Sequence, residues 1–275
     1  MTGTPELKAP RGTTDTHMHI YNKRYPTAPT ATFTPPDSAI EDYLAMCKRI
    51  GLERTVVVQP STYGTNNECT LEAMRAIGPD ARGVAVVDMT VTDAELERLT
   101  NLGIRGIRFH MLPGGALPWD ILEPMAARVL EHGWHVQLQL DGRTLPERIA
   151  MIKRLPGTLV IDHTGKFLDP VPADHPAFKL LLELVEGGHT YVKLSAPYEV
   201  SKAGPPHYDD VGALAKALVK AAPDRMLWAS NWPHPTPNGP KPDDAALLDV
   251  LLDWVPTESV RQKVLVDNPA RVYGY

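Results

Sequence analysis

Along the whole chain, short runs rich in β-branched and apolar residues alternate with stretches of helical periodicity. The runs fall at residues 14–20, 54–61, 82–88, 104–111, 135–141, 158–164, 190–196 and 226–232. Segments such as 38–50, 68–78, 119–132 and 243–254 between them read as helices. Strand and helix alternating about eight times over 275 residues predicts parallel pairing and closure into a (β/α)8 TIM-type barrel, an α/β fold. An open doubly wound sheet is the alternative topology. The chain reads as a single domain over 1–275, with 1–13 as an N-terminal extension.

Active sites of such barrels lie at the carboxyl ends of the strands, and residues i and i+2 of a strand point the same way. In TTDTHMHI, Asp15, His17 and His19 therefore share one face. The polar face of each strand is expected to point inward: Gln59 and Ser61, Arg108 and His110, Gln137, Gln139 and Asp141, Lys193 and Ser195, and finally Asn231. In LVIDHT, His163 lies opposite Asp162. A purely structural barrel fills these layers with Val and Ile, so inward polar groups on most strands imply a binding pocket. Taken singly, each has a plainer reading as a hydrogen-bonded core group.

Composition removes several function classes. A net charge of −5 and no visible basic face argue against nucleic acid. No apolar run approaches the roughly 18 residues that span a bilayer, and the opening MTGTPELKAP has no hydrophobic stretch of the secretory kind. The expectation is a cytoplasmic protein, monomeric or a small homo-oligomer, with a small molecule as its partner. Cys47 and Cys69 belong to no CxxC or Cys/His cluster and read as buried, reduced thiols. The prolines concentrate in 26–36, 170–176, 205–206 and 233–242, as in ordered loops.

Two imidazoles side by side on a strand suit either a metal ion or carbonyl polarisation and proton transfer near neutral pH. The placement of His17 and His19 on the first strand, with His163 on the sixth, resembles the amidohydrolase superfamily. There the pattern adds a strand-five histidine, where this chain has Gln139 and Asp141, and a strand-eight aspartate, where it has Asn231. A carboxamide brings no charge to balance a divalent cation and is a poor base. No cofactor is therefore expected; the alternative is one zinc on His17, His19 and His163.

DTHMHIY, VVQPSTYGTNN, ARGVAVVD, GIRGIRF, GWHVQL, VIDHTGKF, AGPP followed by DD, NWPHP and VDNPARVYGY are similar to the superfamily branch of 2-pyrone-4,6-dicarboxylate lactonase, sulfomuconolactone hydrolase and D-galactarolactone isomerase. The resemblance runs from Asp15 to Tyr273. It implies an enzyme acting on a small anionic lactone in the catabolism of aromatic or sugar acids. Its lactonase-like catalytic set falls on His17, His19, His163 and Asn231, with Ser61 and Arg108 at carboxylate-binding positions. Gly114, Gln139 and Glu199 stand where Arg, Tyr and Arg are expected, and Phe33 where Tyr is, so a muconolactone-type substrate is expected rather than pyrone dicarboxylate. LPGGAL, QLDG, DHTGKF and NWPH resemble the isomerase instead and bring in Asp141. That isomerase is expected to lack the first histidine of the pair, which is present here as His17.

The implied mechanism has Arg108 hold a carboxylate or sulfonate while the imidazoles polarise the lactone carbonyl. Water then attacks, losing its proton to a histidine or to Asp141; an internal hydroxyl in place of water would isomerise the ring. Gln139, His110, Tyr25 and Tyr63 are further candidate substrate contacts, the two tyrosines from loops overhanging the site. Lys193 and Ser195 read equally as a solvated strand end and as substrate contacts, Lys166 reads first as a solvated loop lysine that could meet an anionic group, and His234 as a candidate cap. His132, His135, His175, His189 and His207 fall in helix or loop patterns with no chemistry assigned. A zinc-dependent decarboxylase or amidohydrolase and a non-catalytic binding barrel are the competing readings.

Overall fold

A computed structural model describes residues 3–235 and 241–275; residues 1–2 of the extension and 236–240 of the last proline-rich loop lie outside it. Among the described residues eight strands form, one in each predicted run: β1 (Thr14–Met18), β2 (Arg54–Val58), β3 (Ala81–Ala85), β4 (Ile104–His110), β5 (His135–Gln139), β6 (Leu159–Ile161), β7 (Thr190–Leu194) and β8 (Met226–Trp228). Between and after them come α1 (Ile40–Ile50), α2 (Glu68–Ile77), α3 (Asp93–Asn101), α4 (Leu122–Leu130), α5 (Leu145–Ile152), α6 (Pro176–Glu186), α7 (Asp209–Ala221), α8 (Asp244–Trp254), α9 (Glu258–Gln262) and α10 (Asn268–Tyr273).

Each strand pairs in parallel with the next. The ring closes where β1 runs out beside the end of β8: the His19 amide donates to the Trp232 carbonyl at 2.8 Å and the Asn231 amide to the His17 carbonyl at 2.9 Å. The architecture is the TIM-type barrel. Its helices form for the reason the sequence suggests. In α1, Tyr43, Met46, Cys47 and Ile50 are buried at helical spacing, and Gly51 ends the helix in the left-handed region at φ 83°. Both cysteines are buried and unpaired, and burial pushes their thiols up, Cys47 to about 12 and Cys69 to about 11. No described helix is long and apolar enough to cross a membrane.

Inside the barrel, Val56, Val58, Val84, Val160, Tyr191, Leu227 and Tyr273 make an apolar plug distinct from the core between strands and helices. His135 opens β5 rather than sitting in a loop. It packs its ring 5.2 Å from that of Tyr273, in space left by Gly106, where a Cβ would come within 2.5 Å of the imidazole.

The inward face expected from the sequence is not adopted at two places. In β1, Asp15 faces Thr55 and Met18 faces Val57, so three residues span two. That bulge reverses the parity. Asp15 is consequently turned from His17 to the Tyr43 hydroxyl, at 3.0 Å, and to Ser230. In β2, Val56 and Val58 take the inward positions, which puts Gln59 on the outer side. Its amide reaches the carbonyls of Gly64 and Asn66, and Thr70 of α2 donates to its oxygen.

Candidate active site

The carboxyl ends of the strands surround a cavity of about 330 Å³. His19, Ser61, Arg108, His110, Gln139, His163 and Asn231, all singled out in the sequence, line it. Tyr21, Phe33, Leu112, Pro113 and Leu168 supply apolar wall.

His17 is not at the cavity wall. It lies beneath His19, fully buried, with the two Nε2 atoms 3.1 Å apart. His19 donates from Nδ1 to the Val58 carbonyl at 2.7 Å, since a carbonyl only accepts. Its Nε2 is then an acceptor in the neutral ring, and the short His17–His19 contact holds one shared proton. On its other side His17 Nδ1 meets Asp162 Oδ1 and Lys193 Nζ, each at 3.2 Å.

Asp162 is the site residue that the sequence reading misses: with Val160 in the inner plug, the alternation of β6 turns Asp162 inward as well. β6 ends at Ile161, and His163 and Thr164 take left-handed backbone, φ 52° and 55°. This kink lets consecutive side chains both point inward, Asp162 below and His163 at the wall. Asp162 is wholly buried and also accepts from Gln137 Nε2 at 3.1 Å, with Lys193 Nζ 3.5 Å and Arg108 Nε 3.6 Å away. Burial alone would raise its carboxyl, but His17 and the Lys193 ammonium hold it well below the usual carboxylate range. Lys193 is no solvated strand end: it donates to the Thr16 carbonyl and to Gln137 Oε1. Burial lowers its ammonium to about 8.

Burial likewise pushes His17, His19 and His163 well below the ordinary imidazole value and His110 to about 4. All are neutral at pH 7. His163 Nδ1 lies 2.9 Å from the Ser195 hydroxyl. Arg108 spends one N–H on the Gln59 carbonyl at 3.0 Å and one on Gln139 Oε1 at 2.6 Å.

The strand-eight end is organised by Tyr198 and Asp244, which sequence reasoning left aside, together with Glu199 and His234. Asn231, at φ 58°, donates its amide to the Tyr198 hydroxyl at 2.8 Å and to Glu199 Oε1 at 3.0 Å. Tyr198 lies 3.0 Å from His234 Nδ1, and His234 Nε2 2.9 Å from Asp244. The NH2 group is thereby committed, and the amide oxygen is the atom left for the cavity. Glu199 and Lys166 both line the cavity and form an ion pair with each other. Burial lowers the Lys166 ammonium to about 7.

Three expected members are placed elsewhere. Asp141 starts the turn into α5, clamped by Arg143 and 3.4 Å from the Leu168 amide, and does not line the cavity. Tyr25 bonds Glu72 of α2. Tyr63 exchanges hydrogen bonds with the Asn22 backbone; Tyr21 takes the aromatic place at the wall.

His17, Asp162 and His163 offer donor atoms within 4.8 Å of one another, a spacing compatible with a metal ion. The surrounding charge is of the opposite kind. Asp162 is already matched by Lys193 and Arg108, and Asn231 turns its NH2 toward Tyr198 and Glu199. A divalent ion among these imidazoles would have no free carboxylate to balance it, so the donor set does not fit one well.

A closed parallel barrel that converges imidazoles, a guanidinium and an ammonium group on one cavity at the strand ends is of the enzyme-barrel class. The chain belongs to the amidohydrolase family, whose model matches residues 14–275. It is 36% identical to a 2-pyrone-4,6-dicarboxylate hydrolase of Comamonas testosteroni, over 98% of this chain and 92% of that protein. It is 34% identical to a D-galactarolactone isomerase of Agrobacterium fabrum, over 99% and 95%. An apo crystal structure from Agrobacterium tumefaciens superposes with a TM-score of 0.95 at 33% identity, covering 100% of this chain and 98% of that one.

Proposed function

We propose that this protein hydrolyses a small anionic lactone without a metal ion. The observation that carries the reading is a buried, rigidly held guanidinium, Arg108, in the same cavity as His163 and the amides of Gln139 and Asn231. Arg108 keeps N–H groups free of protein partners, and its planar fork suits a carboxylate or sulfonate. Arg108, Lys166 and Lys193 stand against two carboxylates, Asp162 and Glu199. That balance favours an anion over a divalent cation.

With Ser195 donating to Nδ1, His163 keeps its proton on Nε2, where it polarises the lactone carbonyl and stabilises the oxyanion that forms. Asn231 Oδ1 accepts from the attacking water and orients it. His17 and His19 hold this wall in place through their shared proton and through the hydrogen bond that His17 Nδ1 accepts from Lys193. Glu199 at the cavity wall opposes a second substrate carboxylate, which supports a mono-anionic ring over a pyrone dicarboxylate. The kinship with a lactone hydrolase and a lactone isomerase supports the same chemistry.

Isomerisation is the second reading, supported by the uncharged hydroxyl-binding groups Ser61, Gln139 and Asn231 at the wall. Incubating the protein with muconolactone-type and sugar-acid lactones separates the two. Hydrolysis releases one acid per turnover, isomerisation gives a new ring by NMR with no acid, and turnover of neither set refutes both.

A further inference from the structure

We propose that Glu199 and Lys166 act as a self-resetting acid–base pair at the cavity wall. Glu199 takes the proton of the attacking hydroxyl, and Lys166 delivers one to the leaving oxygen. The inference rests on the lactone reading and holds for water or a substrate hydroxyl as nucleophile.

Among the described residues, Glu199 is the one carboxylate lining the cavity. Asp162 lies below it, engaged by Lys193 and Gln137, and Asp141 is clamped by Arg143. The histidines are poor proton sinks, because an imidazolium there would be buried beside Arg108, Lys166 and Lys193. Glu199 touches both groups the chemistry needs: Oε1 accepts from Asn231 at 3.0 Å, next to the amide oxygen that orients the nucleophile, and Oε2 meets Lys166 Nζ. Both side chains are brought over the cavity by left-handed backbone, Lys166 itself at φ 47° after β6 and Ala196 at φ 49° after β7. Such strain persists where a fold holds a side chain to a task. The Lys166 side chain is 9% exposed and that of Glu199 13%, so the contact is little screened by water.

The step balances. As the nucleophile's oxygen bonds the carbonyl carbon, its proton passes to the Glu199 carboxylate and the carbonyl electron pair moves onto the oxygen. When that pair returns, the ring C–O bond breaks and its electrons take a proton from the Lys166 ammonium. The Glu199 carboxyl then hands its proton to the Lys166 amine across their contact, restoring both groups.

A structural ion pair would leave kcat and its pH profile in place. The test is steady-state kinetics of Glu199→Gln, Lys166→Met and Lys166→Arg on the lactone panel, with thermal melting as the fold control and Glu199→Asp as the milder second variant. Expected are about 100- to 10,000-fold losses in kcat for the first two, with KM changed far less. The Lys166→Met loss should shrink for a lactone with an enol leaving group, and Lys166→Arg should not rescue, since a guanidinium does not give up its proton. Folded variants with kcat within threefold of wild type, or rescue by Lys166→Arg, overturn the proposal. Lys166 is followed in parallel by 13C NMR of its ε-carbon. Titration between pH 6 and 9 that moves on Glu199→Gln is expected, and its absence overturns the pairing even if the wild type turns over no lactone, the outcome that refutes the lactone reading itself.

Discussion

The Asn231 side chain donates to the Tyr198 hydroxyl at 2.8 Å, and this contact, with the one to Glu199, decides which atom of the carboxamide faces the cavity. Its direction is set from farther out. Asp244 accepts from His234 Nε2, so His234 Nδ1 accepts from Tyr198, whose oxygen is left to accept from Asn231. Tyr198→Phe removes the relay while keeping the ring. The expected outcome is about a fivefold fall in kcat, the equivalent of one hydrogen bond of about 1 kcal/mol. KM should be nearly unchanged and the melting temperature within a few degrees. A loss confined to KM would mean Tyr198 only shapes the pocket.

Arg108 is the expected anion anchor. Arg108→Gln keeps a donor and an acceptor but removes the charge, so kcat/KM on a carboxylated lactone should fall by roughly 2–4 kcal/mol, about 30- to 1,000-fold. A matched lactone lacking the carboxylate should lose far less. Equal losses on the two, measured side by side, would place Arg108 in structural support of Asp162 rather than in substrate binding.

The barrel was legible because strand and helix periodicities repeat over the whole chain, and repetition tolerates local error. Site residues depend on single parities, and these fail where the backbone leaves the regular strand. The extra residue in β1 turns Asp15 outward, Gln59 follows the outward parity of Val57, Asp162 follows the inward parity of Val160, and the left-handed turn at His163 brings that imidazole in beside it. Asp141 lies beyond the last residue of β5 and caps a turn instead of continuing the strand's alternation. Arg108, His110 and Gln139 lie on β4 and β5, which pair with each other in unbroken register to the end, and their inward placement follows the sequence pattern. Glu199 and Tyr198 sit in a short turn after β7, where no periodicity reports direction. The replacement of Arg by Glu at 199 was the available signal.

The buried Lys193–Asp162 pair should dominate the pH dependence of stability. Asp162 titrates well below its unfolded value of 3.8, so the stability it contributes is present above that value and fades as pH falls below it. Lys193 is lowered from 10.5 to about 8. Between these values the unfolded chain binds more protons at this site, so its contribution to stability rises with pH across that window. Lys193→Met leaves Asp162 short of a partner and should cost about 3–5 kcal/mol, with Lys193→Met/Asp162→Asn recovering part of it. Urea denaturation from pH 3 to 10 measures both, and a double variant no better than the single one would dissolve the coupling.

Metal removal tests the charge argument at His17 and His19. Their Nε2 atoms face each other at 3.1 Å, a spacing near that of two ligands on one tetrahedral zinc with Zn–N bonds of about 2.0–2.1 Å. Lys193 stands 3.2 Å behind His17, and Asp162 is already neutralised. The contact is therefore better filled by a proton, which needs no counter-charge, than by a dication. The expected outcome is full activity after dialysis against a chelator, with metal well below one equivalent by elemental analysis. Added zinc should inhibit more as pH rises and ammonium groups in the cluster lose their charge. Stoichiometric zinc, lost together with activity on chelation and restored with it, would reverse the assignment and make His17, His19 and His163 its ligands.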